Sequence, residues 1–247
     1  MPLNLRPGLR RLQAGWPWLL LALAGVALFH SLGLWQWHRA DEKRALQEAF
    51  ARGSAEVQPL GSRSSAELPR YTQLQVSGRY DPQHQFLLDN IIRDGHAGYE
   101  VLTPLRLPDQ RTLLVNRGWV PLAGGGRSAL PDISLQAGGD VTITGRLDDL
   151  PVSGLREGHA PPLTDAHWPK LTSFPATAEL AAALQRPVEP RQLLLAADAP
   201  DGYHRDWQPA SAGFPPERHV AYAIQWWTLG GLVIVLFLVL NLKKIHP

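Results

Sequence analysis

The residues best suited to chemistry cluster at the edges of two long apolar stretches. His219 lies three residues before Tyr222, and on a helix His219, Tyr222, Trp226 and Gly230 fall along one stripe. His38 and Arg39 follow directly after the first apolar stretch, close to Trp35 and Trp37. Imidazole ligates iron, an indole offers a flat apolar face, and the guanidinium groups of Arg39 and Arg218 attract carboxylates. An iron porphyrin asks for this combination: a ring that inserts between helices, propionates that stay at the headgroups, and an axial imidazole. The same residues also read as an ordinary aromatic belt with interfacial histidines, and composition alone does not choose between the two.

Other groupings are weaker. Asp198–Asp206 (DAPDGYHRD) gathers three aspartates and His204, donor types suited to a divalent cation, or else a solvated loop. His159 and His167 flank Asp165 in a proline-rich segment without regular ligand spacing. Gly124-Gly125-Gly126 lacks the Lys-Ser/Thr that completes a phosphate loop, and no G-x-S-x-G, dinucleotide fingerprint or H-E-x-x-H occurs. With no nucleophile–base arrangement in view, the chain reads as a non-enzyme. A metal hydrolase built on Asp198–Asp206 is the third-ranked alternative.

What positions the histidines is a pair of candidate membrane spans. Trp16–Trp37 (WPWLLLALAGVALFHSLGLWQW) has His30 as its sole ionisable group, and Tyr222–Leu242 has none. Twenty-two residues rise roughly 33 Å, enough for the ~30 Å hydrocarbon layer. Trp16, Trp18, Trp35, Trp37, Tyr222, Trp226 and Trp227 near the ends suit the headgroup zone. The long apolar run and the absence of a small-x-small site argue for an uncleaved anchor. His30 sits roughly 10 Å inside the first span, where an unpartnered imidazole is costly, so it is expected to pack opposite Gly230 and Gly231. Arg6, Arg10 and Arg11 before the first span, with Lys243 and Lys244 after the second, predict cytoplasmic termini.

The expected organisation is therefore a cytoplasmic N-terminus (1–15), a transmembrane helix (16–37), an extracytoplasmic domain (38–221), a second transmembrane helix (222–242) and a cytoplasmic tail (243–247). Residues 39–52 predict a helical continuation of the first span. Leu74–Tyr80, Gln85–Arg93, Tyr99–Leu107, Arg111–Val120, Val141–Leu147 and Arg191–Ala197 read as strands, and Thr177 as the cap of a short helix ending at Gln185. The fold class is a membrane protein of α+β type, two transmembrane helices flanking an antiparallel β-rich, barrel-like domain. Composition agrees: 45% hydrophobic and 19% charged excludes a disordered chain, and the absence of cysteine excludes a disulfide framework and a thiolate site. A net charge of +2 gives no case for nucleic acid.

Three blocks, in order, resemble a known family. LGLWQWHRADEK (Leu32–Lys43) resembles the L-G-x-W-Q-x-x-R-x-x-x-K block of the surfeit locus protein one family of cytochrome c oxidase assembly factors. GYEVLTPLRLPDQRTLLVNRGWVP (Gly98–Pro121) is similar to its G-Y-x-V-x-T-P-L and V-N-R-G-W-V-P blocks, and HVAYAIQWW (His219–Trp227) to its H-x-x-Y-A-x-T-W-[FY], with Gln225 in place of Thr. The resemblance implies a non-catalytic biogenesis factor in a bacterial inner membrane with a periplasmic main domain. It implies that haem a is held transiently, with His219 as axial ligand and Trp226, Arg39 and His38 as further cofactor-binding candidates. The implied partners are the oxidase catalytic subunit, the haem a synthesis machinery and membrane lipid. A haem-free scaffold for an oxidase assembly intermediate is the alternative. Within V-N-R-G-W-V-P, Asn116 and Gly118 suit a bend or bulge. Arg117 reads chiefly as a shaper of the barrel edge, alternatively as a partner for an acid or a propionate.

Overall fold

Uninterrupted apolar sequence with a proline only in the first turn makes the longest helix, α1 (Trp16–Arg52). It runs 37 residues, through the first span and on over 39–52 as expected. The computed structural model describes residues 10–12, 15–53, 56–124, 126, 129–135, 139–152, 159–209 and 214–244. Arg6, Gly125 and segment 153–158, on which sequence expectations fall, lie outside the described residues. After a short strand β1 (Arg10–Leu12) and α1 come β2 (Val57–Pro59), β3 (Gln73–Tyr80), β4 (Phe86–Arg93), β5 (His96–Arg106), β6 (Thr112–Pro121), β7 (Asp140–Asp149) and β8 (Lys170–Thr172). Helix α2 (Thr177–Leu184), β9 (Val188–Leu195), α3 (Pro216–Asn241) and β10 (Leu242–Lys244) complete the order.

The chain divides into a helical unit (1–47 with 210–247) and a β-rich unit (48–209). In the helical unit, α1 and α3 contain apolar windows of mean hydropathy 1.8 and 2.1, long enough to cross a membrane, of which only 6% and 11% is buried. Leu20, Leu21, Leu23, Ile224, Val235 and Val239 point outward. In water each such side chain forgoes about 1.5–3 kcal/mol of burial. Hydroxyl and amide groups on these helices bond back to their own turn: Ser31 to Ala27 O, Thr228 to Ile224 O and Asn241 to Phe237 O, each at 2.8 Å. That removes their need for water. α3 begins at Pro216 rather than near Tyr222, because proline at a helix start surrenders a donor that would be orphaned anyway. β1 and β10 pair antiparallel, Arg10 opposite Lys244.

In the β-rich unit, eight strands run in the order β2-β3-β7-β9-β6-β5-β4-β8, and a further β3–β5 pairing (Arg79 opposite Arg106, Tyr80 opposite Leu105) closes five of them into a barrel. The strict alternation predicted over Val141–Leu147 and Leu74–Tyr80 becomes the β3–β7 ladder. Leu74, Leu105, Leu113, Val115, Leu147, Leu193 and Leu195 fill a core inside it. A second cluster, with Phe86, Leu88, Leu102 and Leu114, lies under Leu180 of α2. Most ladders are antiparallel, but β2–β3, β4–β8 and β6–β9 are parallel. α2 is capped differently from expectation: Glu179 accepts from the Ala176 N–H at 2.8 Å, while Thr177 sits inside the first turn. Gln185 then ends the helix in the left-handed conformation, φ 54°. The last turn of α1 belongs to this unit, the Phe50 ring meeting Tyr71 edge-on at 5.1 Å.

Candidate functional site

Seven-residue spacing on both helices builds the first candidate site. On α3, Pro216, Ala223 and Gly230 are buried, and His219, Trp226 and Val233 share the adjoining partly buried stripe. On α1, Gly33 and Ala40 are buried, with Ala22, Phe29 and Gln36 alongside. Repeats of this period make two helices pack along a continuous seam, and small residues let the backbones approach. The contacts run in opposite directions along the two helices. Gly25 lies by Val233, Phe29 stacks on Trp226 at 5.8 Å, and Gln36 meets His219, so the helices are antiparallel.

At the Gln36 end of that seam, His219 Nδ1 lies 2.7 Å from Gln36 Oε1. An amide oxygen can only accept, so with the oxygen facing the ring a neutral His219 carries its proton on Nδ1 and keeps a bare lone pair on Nε2. Among the described residues Nε2 has no partner. The half-buried ring is flanked by Phe214 at 6.5 Å, and Phe214 is itself covered by the Arg218 guanidinium at 5.0 Å and by Tyr222 at 6.3 Å. The site thus offers one oriented imidazole with an open nitrogen, an aromatic wall and a cation.

The other residues singled out from sequence are placed less centrally. Trp226 shares His219's stripe but lies two turns, about 10 Å, along the helix, with a face taken by Phe29. Arg39 is exposed and paired with Glu42 at 2.9 Å. His38 is exposed and lies about 200° around α1 from Gln36. Among the described residues neither His38 nor Arg39 contacts His219. His30 does not pack opposite Gly230 and Gly231. Its ring lies 6.4 Å from Trp227, while Gly230 faces Phe29. The close approach occurs instead at Gly33, over which the Trp227 indole lies so tightly that a Cβ there would collide with it. Trp226 and Trp227 accordingly turn toward α1, Trp227 meeting Trp37 at 5.9 Å, rather than forming an outward belt. Sequence reasoning passed over Gln36 as a site residue. The signal was there: it is the one amide on a stripe of Ala22, Gly25, Phe29, Gly33 and Ala40.

A second polar centre lies in the β-rich unit. Opposite Val101, strand β6 places two residues, Arg117 and Gly118, in a bulge. Gly118 adopts φ +109° and passes so close to His204 O that a Cβ would sit 2.7 Å from it. Asn116 stays in the ladder and braces the bulge, its Oδ1 accepting from the Gly118 N–H at 3.1 Å and its Nδ2 donating to Glu100 at 2.8 Å. Arg117 turns inward and is 2% exposed. It donates to Asp201 O at 2.7 Å, Gln85 Oε1 at 3.0 Å, Ile133 O at 3.2 Å and Tyr203 Oη at 3.4 Å, under the Tyr203 ring at 4.9 Å. No carboxylate pairs with it among the described residues, and each of its three nitrogens donates at least one hydrogen bond. It is not placed to meet an acid or a propionate. Nearby, burial pushes the Tyr80 phenol up to about 12.

The Asp198–Asp206 segment serves this centre. Tyr203 N–H donates to Arg117 O at 2.7 Å, and Trp119 and His204 exchange backbone hydrogen bonds. Arg205 binds the carbonyls of Ala196 and Ala199. Among the described residues no three His, Asp or Glu side chains converge there, and these contacts make the segment a clasp on the bulge. His159 is likewise engaged, by Phe174 O at 2.9 Å and Glu179 at 3.0 Å, contacts that raise its pKa in that order.

Comparison with known proteins places these features in one family. Residues 23–231 match the SURF1 family. A SURF1-like protein of Mycobacterium bovis and one of Mycobacterium tuberculosis are each 29% identical over 241 residues, covering 92% of this chain and 80% of the relative. A SURF1-like protein of Dictyostelium discoideum is 31% identical over 99 residues, covering 36% of this chain and 37% of that protein. With the helices and barrel that the matching blocks build, the chain belongs to the SURF1 family, a family of cytochrome oxidase assembly factors.

Proposed function

We propose that the protein assists delivery of haem a to the oxidase catalytic subunit, with haem a as transient cargo and His219 as its axial ligand. The observation that carries this reading is the 2.7 Å contact of His219 Nδ1 with Gln36 Oε1, which leaves Nε2 bare. Metal-bound histidines characteristically donate the other ring N–H to an acceptor. The residues present fit a porphyrin: the imidazole for iron, Phe214 and Tyr222 for the ring, and Arg218 for a propionate. Bound haem would bring an iron that takes imidazole, and His219 would hold it through Nε2. The hub at Arg117 supports the fold and takes no part in binding.

The site works from a bacterial inner membrane, α1 and α3 spanning it, the β-rich domain periplasmic and both termini cytoplasmic. Antiparallel helices and the Arg10–Lys244 pairing support termini on one side. The basic residues flanking both spans support the cytoplasmic side. The partners on this reading are the oxidase catalytic subunit and the machinery that makes haem a.

The test is the absorption spectrum of detergent-purified protein produced beside a haem a pathway. Wild type is expected to carry a haem signal that His219→Ala loses. An unchanged spectrum in that variant removes His219 as ligand. The outward apolar faces of α1 and α3 favour a second reading, a haem-free scaffold docking through its spans. It is expected to co-purify with the oxidase subunit equally well in wild type and His219→Ala, without porphyrin absorbance in either.

A further inference from the structure

Gln36 sits 183 residues from His219 in sequence, yet makes the sole hydrogen bond to its ring among the described residues. Both belong to the seven-residue stripes along the helical seam. The seam that buries Gly33 and Ala40 on α1 therefore places Gln36 opposite His219. A neutral histidine in water favours the proton on Nε2, the form in which the outer nitrogen cannot bind a metal. Here the acceptor faces Nδ1.

We infer that Gln36 is a positioning residue that fixes the tautomer of His219, holding the proton on Nδ1 and keeping Nε2 open for a metal centre. The inference rests on the reading of His219 as a ligand, but its first consequence concerns the protein without cargo. Histidine without a fixed tautomer would present the wrong nitrogen state for most of the time. Losing an outer-shell partner of a metal-bound histidine characteristically costs about 10–100-fold in affinity.

The experiment is 15N NMR of the histidine ring nitrogens in the full chain in detergent at about pH 9, above the usual imidazole pKa of about 6.5. His219 is assigned among nine histidines by its loss in His219→Ala. Wild type is expected to show a protonated Nδ1 and a bare Nε2. Gln36→Leu is expected to shift the ring toward the Nε2–H form and to weaken binding of added ferric protoporphyrin about 10–100-fold. Gln36→Glu, which keeps an acceptor oxygen at the same reach, is expected to restore the wild-type tautomer. A wild-type His219 protonated on Nε2, or a tautomer unmoved by Gln36→Leu, overturns the inference. Should the leucine variant fail to fold, the wild-type and glutamate spectra still decide it. If the tautomer follows Gln36 but no porphyrin binds, the haem reading fails and the positioning role stands. If porphyrin binds through His219 whatever occupies position 36, the reverse holds.

Discussion

The two polar centres of this molecule differ in what they leave unused. In the β-rich unit, Arg117 is buried and its guanidinium is shared among backbone carbonyls, a glutamine and a tyrosine. In the helical unit, His219 is half-buried and makes one hydrogen bond, leaving Nε2 open. The first arrangement holds a barrel together and, at 2% exposure, is closed to a ligand. The second contributes little to cohesion but keeps a donor atom in reserve. A saturated polar group marks architecture, and an oriented but incompletely satisfied one marks a place where something else can bind.

The sharpest way to break this contrast is Arg117→Met. Several buried acceptors lose their donor, each at about 1–3 kcal/mol, so the β-rich unit is expected to lose at least about 3 kcal/mol. Thermal unfolding followed by near-ultraviolet circular dichroism reads this, and an unchanged midpoint would dissolve the distinction. A smaller effect is expected at the bulge. Gly118→Ala imposes a left-handed φ of +109° on a residue with a Cβ and drives that Cβ toward His204 O, at an expected cost of about 1–3 kcal/mol in the same assay. The smallest effect belongs to the helical unit. A hydrogen bond between membrane helices averages about 0.6 kcal/mol, so Gln36→Leu is expected to leave stability in detergent nearly unchanged. A loss as large as that of Arg117→Met would make the His219–Gln36 contact structural.

Much of the architecture was legible because it is written locally. Two runs without acidic or basic residues announce the helices, and the alternation of VTITGRL announces β7. β2 and β8 were not legible, since three residues are too few to show a period. The parallel partnership of β6 with β9 is set by the closure of the barrel, not by either strand's own pattern. At the site, His219 stood out by type and position. Its partner did not, because proximity in sequence to the membrane edge drew attention to His38 and Arg39, whereas helical geometry turns His38 away from the face that carries Gln36. Arg117 stood out as a residue but not as a hub, since its acceptors come from segments around Gln85, Ile133 and Asp201 that only the fold assembles.

The β-sheet ends, on both sides, in strands of three residues, β2 and β8, while five of the six strands between them close on themselves through the β3–β5 pairing at Arg79 and Arg106. The outermost strands, β2 and β8, each offer an added strand a template of only three residues. Short edges of this kind favour contacts through side-chain surfaces over strand addition. Edge strands this short also lower the risk that the domain is drawn into misassembly through another chain's unpaired strands.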